Sequence, residues 1–129
     1  MESVLGRFAG PLYSILRLVA GVLFACHGAQ KLFGALGGHA MPLASQMGLA
    51  GIIEFVGGSL IAVGLFTSPV ALIASGEMAW AFFQAHFPKS PWPIKNGGEL
   101  AVLYCFLFLY MAARGSGPIS LDRILRRKG

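Results

Sequence analysis

Charge is what this chain has least of: Asp, Glu, Lys and Arg make up 12% of 129 residues, and only five are acidic. So little charge cannot give a solvated surface to a soluble domain of this size. Cysteine is scarce too. Cys26 and Cys105 form neither a C-x-x-C pair nor a metal-ligand spacing, which points away from dithiol redox chemistry and thiolate metal sites. No nucleotide, haem or iron–sulfur motif occurs, and the Glu-x-x-His repeat of ferritin-like carboxylate bundles is missing. A bound metal is therefore not expected. The basic tail, Arg114, Arg123, Arg126, Arg127 and Lys128, has no aromatic residues interleaved with it. That argues for attraction to anionic lipid and against nucleic acid as a partner.

What is present is apolar: 56% of the residues are hydrophobic, and 18 are glycine. Four apolar stretches cover approximately residues 11–33, 48–66, 70–87 and 97–114. Each is close to the ~20 residues needed to cross ~30 Å of hydrocarbon. Arg17 interrupts what would otherwise be a signal-peptide core, and the stretch runs on to Phe33, so a retained first span is expected. GALGGHAMPLASQ reads as a loop, Thr67-Ser68-Pro69 as a tight turn, and Pro88-Lys89-Ser90-Pro91-Trp92-Pro93 as a rigid connector. The expectation is one all-α domain over residues 1–129, an integral four-helix bundle in the lipid bilayer of the cell membrane. Arg7 and the five basic tail residues flank one side, against Lys31, Lys89 and Lys95 on the other. The positive-inside rule then places both termini in the cytoplasm.

Inside these spans lie Arg17, His27, Glu54, Glu77 and Glu99. An ionisable group in hydrocarbon costs roughly 2.5–3.5 kcal/mol on insertion scales, so such groups face one another or a wet cavity. Aligning the spans at their inner ends puts Arg17 ~9 Å and Glu77 ~10 Å in, as a candidate pair. Glu54 falls at ~18 Å, Glu99 at ~22 Å, and His27 and His86 at ~24 Å, forming a second polar level. By the same rise Cys26 and Cys105 differ in depth by ~9 Å, so they read as packing residues and not as a disulfide. Phase refines the set. Arg17, Gly21, Phe24, Gly28 and Lys31 form one stripe, with His27 close to it; Lys31 can also simply snorkel to the surface. Glu54 shares a face with Gly57, Gly58 and Ile61, Glu77 with Trp80, Ala81 and Gln84, and Glu99 with Leu103, Phe106 and Tyr110. His86 lies about 180° from Glu77 on a regular helix, so both face the interior only if the helix unwinds before Pro88. Glu99, near a helix start, also suits a purely dipolar role.

The chain resembles the DoxX family of small four-helix membrane proteins over about residues 11 to 123. The resemblance rests on Arg17 with His27-Gly28-x-x-Lys31-Leu32, then Ile52-Ile53-Glu54-Phe55-Val56-Gly57-Gly58 and Gly64-Leu65-Phe66-Thr67. It continues through His86-Phe87, Lys95-Asn96-Gly97-Gly98-Glu99 and Gly115-x-Gly117-Pro118-Ile119-Ser120-Leu121-Asp122-Arg123. It implies an integral membrane bundle and, for some members, association with redox systems, including a quinone-reducing thiosulfate oxidoreductase. No activity is common to the whole family. Three readings are open. The first is a membrane accessory or subunit of a redox complex, with quinone or a small thiol near His27, Glu54 and Glu99. The second is a non-enzymatic scaffold or assembly factor. The third is a transporter or proton pathway, which would need a homo-oligomer because four short spans leave little room for alternating access.

Overall fold

The computed structural model describes residues 1–128, with side chains through Arg126. The side chains of Arg127 and Lys128, both in the basic tail, lie outside the described residues. The chain is helical, with no strand among the described residues. A short α1 (Glu2–Leu5) and a 3-10 turn (Gly6–Phe8) lead into α2 (Ala9–Phe33), followed by α3 (Gln46–Val63) and α4 (Thr67–Ala81). α4 runs on through a π-helical turn, Phe82–His86; α5 (Pro93–Asn96), α6 (Glu99–Arg114) and α7 (Leu121–Lys128) complete the chain. Residues 2–33 and 46–63 are long and apolar enough to cross a membrane.

The helix limits have local causes. Gly34 and Gly64 adopt left-handed conformations that end α2 and α3, a geometry glycine takes without a Cβ penalty. This ends the second helix at Val63, short of the residue 66 expected from hydropathy. Ser45 caps α3 by accepting from the Gly48 N–H at 3.1 Å. Gly97, also left-handed, closes α5, so α6 begins at Glu99 and not at 97.

Close approach of α2 and α3 organises the molecule. A Cβ on Gly21 would collide with the backbone at Gly58 and Ala62, and one on Gly28 with the backbone at Gly51 and Phe55. The two helices therefore touch main chain to main chain, the usual route to tight packing in lipid. α4 lies on α6 through Ala71, Ala74 and Ser75, whose hydroxyl donates to the Cys105 carbonyl at 2.7 Å. Phe24 of α2 joins the two pairs by packing on Tyr104 and Phe108 of α6, at ring separations of 5.4 and 4.8 Å. Outward faces carry Ile15, Val19, Leu23, Leu72, Ile73 and Leu103, all exposed. Such an apolar exterior around a core holding Arg17 and Glu54 suits hydrocarbon as solvent.

The helix phase expected for the fourth span is reversed. Glu99, Leu103, Phe106 and Tyr110 face outward, and the buried stripe is Ala101, Tyr104, Phe108 and Met111. Ala101 is small, and Tyr104 and Phe108 stack on one another 5.3 Å apart, so this stripe packs while a glutamate face would not.

Candidate functional site

Two polar clusters sit at opposite ends of the helices. The first lies at the end shared by both chain termini. Arg17, 4% exposed, donates from Nε to the Ile61 carbonyl at 2.9 Å and from Nη2 to Ile119 at 2.9 Å and Ala62 at 3.4 Å. Its Nη1 donates to the Ser116 carbonyl. The guanidinium thus adds donors to the last turn of α3, where the Ile61 carbonyl also accepts the Gly64 N–H at 3.1 Å and Ala62 has only the arginine, and where a cation suits the dipole. This corrects the expected Arg17–Glu77 pairing: the fork finds carbonyls from α3 and from the segment 115–120.

That segment straps the helix ends together. Tyr13 donates to the Gly115 carbonyl at 2.6 Å, and the Ile119 N–H donates to Ser14 at 3.3 Å. Asp122 accepts from the Phe66 N–H at 2.9 Å, the Thr67 N–H at 3.3 Å and the Ser116 hydroxyl. It caps α4 from outside the helix and holds Phe66, a non-glycine residue at φ 53°, in a strained conformation. Burial pushes the Asp122 carboxyl up, but the Ser116, Phe66 and Thr67 donors outweigh it and hold it below its ordinary value.

The second cluster lies at the opposite end, on a cavity of about 980 Å³ between α2, α3, α4 and α6. α2 contributes Phe24, His27 and Lys31, placed on one side by spacings of three and four. Glu54 comes from α3, and Glu77, Trp80, Gln84 and His86 come from α4 and its π turn. Lys31 Nζ meets Glu54 Oε1 at 2.5 Å, with the lysine side chain 22% exposed and the glutamate 1%. Lys31 is therefore an ion-pair partner and not only a snorkelling residue. Glu77 lies beside Glu54. Glu54 Oε2 and Glu77 Oε1 are both buried without a hydrogen-bond partner. Such orphaned acceptors are rare and costly in a packed interior.

His86 reaches the cavity because the helix widens. The Phe87 N–H donates five residues back to the Phe82 carbonyl at 2.8 Å. One extra residue in the turn rotates the residues beyond it by roughly 100°, enough to bring His86 off the face opposite Glu77. His86 Nδ1 is then held 3.1 Å from the Asn96 carbonyl. Gln84 donates to Gln46 across the cavity mouth at 2.6 Å. His27 sits edge-on to Tyr104, 6.2 Å between rings.

His27, Lys31, Glu54, Glu77, Gln84 and His86 thus meet at one cavity, whereas Arg17 belongs to the other cluster and Glu99 stays exposed in the first turn of α6. Tyr104, which forms the wall beside His27, carries no mark in the sequence beyond its place in the Ala101–Tyr104–Phe108–Met111 stripe. Among the described residues, no three His, Cys, Asp or Glu side chains converge to hold a metal ion. The donor set offers one ammonium, two carboxylates, two amides and two imidazoles against aromatic walls. It can bind a largely apolar molecule by a polar end and exchange protons with it.

The family model for DoxX matches residues 12–87. An uncharacterised protein of Haemophilus influenzae is 39% identical over 122 residues, spanning 89% of this chain and 91% of the relative. No solved structure matches. With its apolar exterior and long apolar helices, this is a helical membrane protein, and the chain belongs to the DoxX family.

Proposed function

We propose that the chain is a four-span bundle of the cell membrane with both termini cytoplasmic, acting as a redox-system subunit or accessory whose quinone-type ligand occupies the Glu54–Glu77 cavity. The observation that carries this is the pair of buried, unpartnered carboxylate oxygens on the wall of an otherwise apolar cavity. Ionisable groups left in this state inside a membrane protein mark a ligand or proton route. At about 980 Å³ the cavity is at the upper end of ligand-site sizes. A quinone, if bound there, would supply two-electron, two-proton redox chemistry. Phe24, Trp80 and Tyr104 form slot walls that exclude water, and Lys31 orients Glu54. Glu54 and Glu77 take up and release protons at the cavity wall, and His27 relays protons at its edge. Electrons come from a redox-active partner protein.

The test is lipid extraction and native mass of the gently purified protein, beside a Glu54→Gln, His27→Ala double variant. Near-stoichiometric quinone in the parent, lost from the still-folded variant, is the expected result. A co-purifying protein with no quinone would replace this reading with that of a scaffold or assembly factor. Proton or solute movement by the protein alone in liposomes would favour the transporter.

A further inference from the structure

A second cavity, of about 620 Å³, opens at the terminal end, between the start of α4 and the tail. Its walls include Arg114, Arg123 and Arg126 against a single carboxylate, Asp122. Both Asp122 oxygens are engaged by the Phe66 and Thr67 N–H groups and the Ser116 hydroxyl, and its single negative charge leaves the three guanidinium groups in excess. None of them forms an ion pair among the described residues. Arg114 rests on the Tyr13 ring, 5.2 Å from its centroid, which fixes its position. Thr67 also lines this cavity; it is fully buried, and its hydroxyl has no partner. Three guanidinium groups and an unpartnered hydroxyl lining one cavity make up the donor set of a phosphate site.

The neighbouring surface indicates where the phosphate comes from. In α7, Leu121, Ile124 and Leu125 occupy one side of the helix and are exposed, while Arg123 and Arg126 lie on the other. An amphipathic helix of this kind lies in the plane of a membrane interface. Arg114 ends α6 and Thr67 begins α4, so the cavity sits where the apolar helices stop. We propose that this cavity binds the phosphate group of an anionic phospholipid, held by Arg114, Arg123, Arg126 and the Thr67 hydroxyl, at the level where the apolar side of α7 meets the membrane interface. The site is separate from the Glu54–Glu77 cavity and does not depend on the redox reading.

The experiment uses the full chain in nanodiscs containing phosphatidylglycerol, counting retained lipid by native mass spectrometry. A second arm uses phosphatidylcholine nanodiscs, comparing the unfolding midpoint in inorganic phosphate with that in chloride of equal ionic strength. Thr67→Val keeps the shape of the side chain and removes a hydroxyl that bonds nothing in the protein, so the fold is preserved. One saturable phosphatidylglycerol per chain is expected, held about tenfold more weakly by Thr67→Val and not retained by Arg123→Gln, Arg126→Gln. A stabilising shift in inorganic phosphate alone, lost in the same variants, would support the phosphate site and assign it to a soluble phosphate. Retention that is unsaturable, or equal in the parent and all variants, with no phosphate shift, would overturn the proposal.

Discussion

The two polar clusters are built from similar charges and reach opposite states. At the terminal end Arg17 directs its donors at four backbone carbonyls, and Asp122 accepts from two N–H groups and a hydroxyl. Neither group is left to bind a ligand: the guanidinium and the carboxylate serve as caps that tie the tail to α2, α3 and α4. At the loop end one ion pair is made, while one oxygen each of Glu54 and Glu77 stays buried and unpaired beside a cavity. Buried polar networks stabilise when satisfied and cost free energy when only partly so. The difference separates groups that hold the fold together from groups retained at its expense.

The largest expected effect comes from breaking the satisfied cluster. Arg17→Leu would leave the Ala62, Ser116 and Ile119 carbonyls without a donor, at about 1–3 kcal/mol for each that stays away from solvent. We expect little folded protein in detergent and a steep loss of membrane abundance. An unfolding midpoint equal to the parent's would remove the distinction between the two clusters. A smaller effect is expected at Asp122. Asp122→Ala should cost about 1 kcal/mol at neutral pH, the usual value of a lost helix cap. Because the Asp122 carboxyl is held below its ordinary value, its contribution is full above about pH 4. It is lost as pH falls through the folded-state pKa. The gap between parent and variant midpoints should therefore close in acid, and a gap independent of pH would contradict the capping role.

Some of this is legible in the sequence, and the rest is hidden for physical reasons. Apolar run length locates the helices because crossing hydrocarbon sets a minimum length, and Gly64 and Gly97 then fix limits that hydropathy blurs. The stripe of α2 that carries Phe24, Gly28 and Lys31 is visible as spacing, as is the face shared by Glu77, Trp80 and Gln84. Depth alone matches Arg17 to Glu77, wrongly, because its true acceptors are backbone carbonyls, which have no side-chain signature. The fourth apolar stretch invites a reading on the wrong face because it is apolar nearly all round, so a single glutamate at its start gives a misleading phase. The position of His86 depends on a π turn that no residue between Phe82 and His86 announces. The strap 115–122 is recognisable as a motif, but its role as a cap on α4 needs the tertiary arrangement.

The most direct test of the contrast is Glu77→Gln. The amide nitrogen offers a donor to the unpaired Glu54 oxygen beside it, so the variant relieves the loop-end cluster while removing one of its two carboxyls. We predict an unfolding midpoint equal to the parent's or higher, by up to about 1 kcal/mol of added stability, together with loss of retained quinone. A midpoint lowered as far as that of Arg17→Leu, with quinone retention unchanged, would show that Glu77 holds the fold and that the loop-end cluster is not the functional one.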